Sequence, residues 1–356
     1  MIFHVKSRNP VGNLNTSMQK QAEPVSTRKI TGPPPYSEGE IIEMIKRAVG
    51  KSPPSGKLRI ITDTTEFFQV DYDDVVSVGE GLFLIRGSER EGRFGLDDEP
   101  KHWVKKALDL RTGGRKILKL AFFERYQGKI GSIKFEFFRN PKKEARILDL
   151  VRGHPNFMQG YWVEDTKNNI VRILEQVKGP SIHTMVGQIT EDHETYFHQI
   201  FPGILDRLTE AYEAIRFLHI NQEMHGDIRR DHLFVDSDSG HYVWIDFDYT
   251  YRSSETRVGF DLFGLGNILC FIVGKGDIGT GYLQKHHPDL FSRIREEDLG
   301  IVFLNRVANL KKIFPYIPEK LNRILMHFSH GAEVFYENVD ELMEDLRSCR
   351  AVLPGI

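Results

Sequence analysis

Two short stretches of this chain hold the residue types for chemistry at a phosphorus centre. His225-Gly226-Asp227-Ile228-Arg229-Arg230-Asp231-His232 comes first, and Trp244-Ile245-Asp246-Phe247-Asp248 follows. The apolar runs at Phe234 and Trp244 predict a pair of short strands, so Asp227 and Asp246 fall on two loops that flank the pair. One carboxylate placed there can orient or deprotonate an attacking hydroxyl. The other can hold a metal ion on nucleotide phosphates, and phosphoryl transfer needs both.

Charged residues elsewhere look built to serve the same site. Lys119 lies in Ile117-Leu118-Lys119-Leu120, a buried-strand context in which a cation needs a partner. Glu144 is a candidate. Asn140 as N-cap and Pro141 at the first helical position predict a helix over 141–152. Ile147, Leu148 and Val151 put the Glu144 face inward.

The elements around these residues change type along the chain. Residues 1–36 form a mildly basic, weakly periodic segment ending in Pro33-Pro34-Pro35-Tyr36, read as a flexible tail. Ser37 and Glu40 spell a capping box ahead of a helix reaching Val49, within an N-terminal extension over 37–74. Strands are expected at Leu58–Ile61, Phe67–Val70, Leu82–Ile85, Trp103–Ala107 and Arg115–Leu120, the last two joined by a turn at Thr112-Gly113-Gly114. Past Glu175 the pattern is helical, interrupted only by the hairpin around Phe234 and Trp244. Leu208, Ala211, Ile215 and Leu218 make an ordinary core stripe on the helix that delivers His225. Phe260 to Gly274 reads as a buried helix, too short to span a bilayer. A sheet-rich half over 75–178 and a helix-rich half over 179–356 imply an α+β fold of two lobes with a cleft between them.

Composition narrows the partners. A net charge of −2 gives no pull toward nucleic acid or an anionic membrane surface. Two distant cysteines, Cys270 and Cys349, and no apolar leader point to a reducing cytoplasm. Oligomeric state leaves no sequence signature.

In order and spacing these motifs resemble the protein-kinase-like superfamily over about residues 75–350. The likeness extends to bacterial Ser/Thr protein-kinase-like chains, and the H-G-D and I-D-F-D spellings are similar to those of RIO, aminoglycoside and choline kinases. The resemblance implies a bilobal fold, with a β-rich first lobe carrying one main helix and an α-helical second lobe. It implies ATP with Mg, or Mn, as cofactors, and a protein or small-molecule hydroxyl as acceptor. Lys119 would contact the phosphates and pair with Glu144, Asp227 would serve the acceptor hydroxyl, and Arg229 would neutralise the transferring group. Backbone groups at Glu175, Gln176 and Val177 would bind adenine. Asp246 would carry the metal, with His232 where the family usually has Asn and Asp248 where it usually has Gly. Imidazole suits Mn better than Mg, so His232 either alters the metal preference, weakens a second metal site or is structural. Asp261 is similar to the buried aspartate that accepts amide hydrogen bonds from the catalytic loop. His225 is read as packing that loop.

Two departures stand out. Gly87, Gly92 and Gly95 do not keep G-x-G-x-x-G spacing, so a phosphate-covering loop with Gly87 and Gly92 on the nucleotide and a plain elaborated hairpin both remain open. Only fourteen residues separate Asp246 from Asp261, with no A-P-E motif, which argues against a peptide platform regulated by loop phosphorylation. An active kinase and a nucleotide-binding pseudokinase both fit the motifs.

Overall fold

The computed structural model describes residues 36–51, 58–91, 99–351 and 353. The basic tail, Gly92 and Gly95 lie outside the described residues. The capping box forms as spelled: the Ser37 side chain accepts from the Glu40 amide, and the Glu40 carboxylate accepts from the Ser37 amide, opening the helix Glu38–Val49. Gly50 ends that helix in the left-handed conformation at φ 74°. Ile41 and Ile45, one turn apart, bury against Val75, Leu82 and Leu84 of the sheet.

That sheet has seven strands: β1 (Ile60–Ile61), β2 (Val75–Val78), β3 (Gly81–Glu91), β4 (Glu99–Asp109), β5 (Arg115–Lys119), β8 (Gly160–Glu164) and β9 (Ile170–Glu175), in the order β1-β2-β3-β4-β5-β9-β8. The intervening β6 (Glu124–Ile130) and β7 (Ile133–Arg139) form a separate hairpin. β5 lies against β9 with Lys119 opposite Arg172 and Lys116 opposite Glu175. This register brings the Lys119 end of the sheet beside the helix Pro141–Leu150, whose Asn140 cap accepts from the Lys142 amide.

The second lobe is helical around Phe201–Ile220, which buries Leu208, Ala211, Ile215 and Leu218 as its stripe required. The helix Gly259–Val273 is apolar on nearly every face and buried accordingly. The hairpin of β10 (Leu233–Val235) and β11 (Tyr242–Trp244) sits between the two loops of interest. Trp244 donates its indole N–H to the Ala211 carbonyl at 2.8 Å, pinning the hairpin to the central helix. The molecule is thus a bilobal α+β fold.

Three expectations need correction. Phe67–Val70 is not a strand; Phe67–Gln69 is a 3₁₀ turn with Phe68 67% exposed. The Val70 carbonyl is taken by Lys105 Nζ at 2.6 Å, so the segment bonds to a side chain instead of a neighbouring strand. Second, the chain forms a further hairpin, β6–β7, between the sheet and the helix Pro141–Leu150. Gly131 at φ 56° turns it tightly, and Ile133, Phe135 and Phe137 alternate with polar residues along β7. Third, the helical half has a further interruption: β12 (Tyr249–Arg252), immediately after Asp248, pairs antiparallel with β7.

Candidate active site

Lys119 is the hub of the site. Its ammonium lies 2.8 Å from Glu144 Oε1, 2.5 Å from Asp246 Oδ1 and 3.1 Å from Asp248 Oδ2. Glu144 is fully buried, with Arg172 Nε 3.2 Å from its other oxygen. Arg139, the last residue of β7, reaches Asp248 at 3.1 Å while lying over the Tyr249 ring. Buried charges persist only when compensated, and here each of the three carboxylates faces two cations. Burial alone would discharge Lys119, but Asp246, Asp248 and Glu144 outweigh it and raise its pKa.

Asp246 sits in the left-handed region at φ 63°, a strained conformation for a side chain other than glycine. Burial works against its charge, yet Lys101, Lys119 and His232 hold it well below the usual carboxylate range. Lys101 on β4 lies 3.2 Å from Asp246 Oδ2; its position in the sequence carried no signal of this.

The Asp227 loop hangs from Asp261, whose carboxylate accepts the amides of His225 and Gly226 at 2.8 Å each. His219 Nε2 bonds the same carboxylate at 2.9 Å. His225 packs edge-on against Trp244, and burial drives its pKa down to about 3, leaving a neutral ring within the loop. Burial pushes the Asp227 carboxyl up, opposed by His232 and Arg229, the direction a proton acceptor requires. His232 bridges the two loops: Nδ1 is 2.9 Å from the Asp227 carbonyl, and Nε2 is 3.6 Å from Asp246 Oδ2. A carbonyl can only accept, so Nδ1 is assigned a hydrogen, which leaves Nε2 facing Asp246.

A cleft of about 770 Å³ runs between the lobes. Val104 and Ile117 of the sheet face it from one lobe, Phe234 and Ile245 from the other. Glu175, Gln176 and Val177 line the chain crossing, and Lys119, His232 and Asp246 form the charged end. Gly87 is not in the lining; it sits at φ 124° where the pairing of β3 with β4 slips. Arg229 is also outside the lining, with Nε 3.0 Å from Asp231 Oδ1. Asp248 is buried against Lys119 and Arg139 and is not part of the cleft lining. Among the described residues no three His, Cys, Asp or Glu side chains cluster as a metal site. Asp246 and His232 are the donors on offer, a carboxylate and an imidazole suited to Mn.

No family model matches the chain. It is 34% identical over 101 residues to CBL-interacting protein kinase 2 of Oryza sativa subsp. japonica, covering 28% of this chain and 20% of that protein. It is 26% identical over 225 residues to sperm motility kinase Z of Mus musculus, covering 63% of this chain and 40% of that protein. The matched regions thus span less than half the length of either relative. The solved kinase domain of Mycobacterium tuberculosis PknI aligns with 77% of this chain and 98% of that one, at 11% identity and a TM-score of 0.44. Among the described residues no helix is long and apolar enough to cross a membrane.

Proposed function

We propose that this chain, protein-kinase-like in its sequence relatives and its two-lobed fold, is an ATP-dependent phosphotransferase that moves a γ-phosphoryl group to a hydroxyl. The observation that carries the reading is the meeting of Lys119, Glu144 and Asp246 at the charged end of a cleft with apolar walls. Val104, Ile117, Phe234 and Ile245 suit a flat base, and the backbone from Glu175 to Val177 supplies donors and acceptors for its edge. Lys119, fixed by Glu144, meets the phosphates. Asp246 and His232 would hold the divalent cation, which when bound supplies charge neutralisation at the phosphate oxygens. Asp227 orients the acceptor hydroxyl and takes its proton.

The kinase relatives favour a protein Ser/Thr acceptor; the short segment after Asp246 favours a small molecule. A second reading, a nucleotide-binding pseudokinase, draws on Lys101 at Asp246 Oδ2, where the cation would sit. Incubation with γ-labelled ATP and Mg or Mn, offering protein and low-molecular-weight acceptors in separate arms, tests the proposal and names the acceptor class. Label moving to either class supports it. ATP that raises Tm equally with and without metal, with no label transferred, favours the pseudokinase.

A further inference from the structure

Next to Glu144 on the same helix stands a second buried charge, Lys143, that no part of the proposed chemistry uses. Its Nζ lies 2.6 Å from the His225 carbonyl, 2.8 Å from the Phe247 carbonyl and 2.6 Å from the Tyr249 carbonyl. Those carbonyls belong to the Asp227 loop, the Asp246 loop and the start of β12. The geometry points to Lys143 as a positioning residue for the transfer, which ties both aspartate loops to the helix that carries Glu144. The inference rests on the reading of the site as a phosphotransferase, but its structural half can be measured without turnover.

Stoichiometry supports the assignment. An ammonium has three N–H donors, and three carbonyls receive them. A neutral amine has only two and would turn a lone pair toward one carbonyl. Neighbouring helix residues point about 100° apart, so one turn of helix addresses the phosphate lysine through Glu144 and the loops through Lys143. Gly226 makes the third contact possible. It adopts φ 86°, and a Cβ there would come 1.9 Å from the Tyr249 oxygen. Glycine therefore lets the backbone of β12 close onto the loop beneath the ammonium. β7 holds β12 from its other side through the pairing of Tyr249 with Arg139.

The charges around Lys143 come from several elements: Asp261 on its helix, Asp248 on the metal loop, Glu223 before the catalytic loop and Glu144 beside it. Burial outweighs them and brings the ammonium down to about 8. Below that pH all three carbonyls are served; above it one donor is lost.

Lys143→Met, Lys143→Gln and Lys143→Arg test the assignment by hydrogen exchange and steady-state kinetics. In K143M the amides of 225–232 and 246–252 should lose protection, while those of the helices Pro141–Leu150 and Phe201–Ile220 keep theirs. The value of kcat should fall about 100-fold, as expected when reacting groups drift by an ångström, with KM for ATP within about 2-fold of native. Native kcat should fall as pH rises through about 8, and that limb should be absent in K143R, whose guanidinium does not titrate. K143Q is read the same way should K143M fail to fold. Native exchange and native kcat in a folded K143M or K143Q, or an unshifted alkaline limb in K143R, would overturn the assignment. A native protein without turnover would instead sink the phosphotransferase reading and leave the exchange result to decide on Lys143.

Discussion

The two sides of the cleft are held by different kinds of bond. On the nucleotide side, side chain meets side chain: Lys119 with Glu144 and Asp246, Arg172 with Glu144, Arg139 with Asp248. On the acceptor side, most contacts run from side chain to backbone: Lys143 donates to three carbonyls and Asp261 accepts two amides, with His219 on Asp261 as a side-chain contact beside them. The first kind fixes the residue type at both ends of every contact. The second fixes it at one end only, because any residue can lend its peptide group. Substitutions should therefore act on chemistry and charge balance on one side, and on loop geometry on the other.

Lys119→Met should give the largest effect. It leaves three buried carboxylates without their shared ammonium, costing about 3–5 kcal/mol of stability. Turnover should drop about 10³-fold, the scale of removing one preorganised charge contact. Denaturant unfolding and initial rates check both; a stable, active K119M would break the side-chain account of the nucleotide wall. Gly226→Ala comes next. Its positive φ and the Tyr249 oxygen in its path should destabilise by about 1–3 kcal/mol, read as a lower Tm with nucleotide binding retained. Native Tm in G226A would show that β12 does not rest on the loop.

His232→Asn sharpens the boundary between the two sides, since His232 touches both aspartate loops. Exchanging imidazole for an oxygen donor should shift the ratio of Mg- to Mn-supported rates toward Mg by about tenfold. An unchanged ratio would make the ring structural. Lys178→Ala at the cleft rim should do least. Its pair with Asp238 is exposed, and such pairs contribute little, so Tm and turnover should stay native.

The same division explains what the sequence disclosed. Lys119 and Glu144 were legible because a cation in a strand and an acid on an apolar helix face each demand a partner. The Ser37 box and the Asn140-Pro141 cap were legible because caps use few residue types. Lys143 was not, since nothing in Pro141-Lys142-Lys143-Glu144 marks which lysine points inward and its partners are carbonyls. Arg139 was hidden with the β6–β7 hairpin, whose strands carry more polar residues than the sheet beside them. β12 lacks an apolar run of its own and is a strand because β7 offers it an edge. Phe67–Val70 had the composition of a strand, but Lys105 claimed its carbonyl.

The central claim is that Asp227 and Asp246 serve one transfer reaction, and the most direct measurement follows the γ-phosphoryl group itself. Label transfer from ATP, with Mg and with Mn, should be compared for the native chain, Asp227→Ala and Asp246→Ala. The account expects transfer by the native chain, with each variant down by at least about 100-fold. Turnover that survives both changes, or a native chain that transfers nothing with either metal, would contradict it.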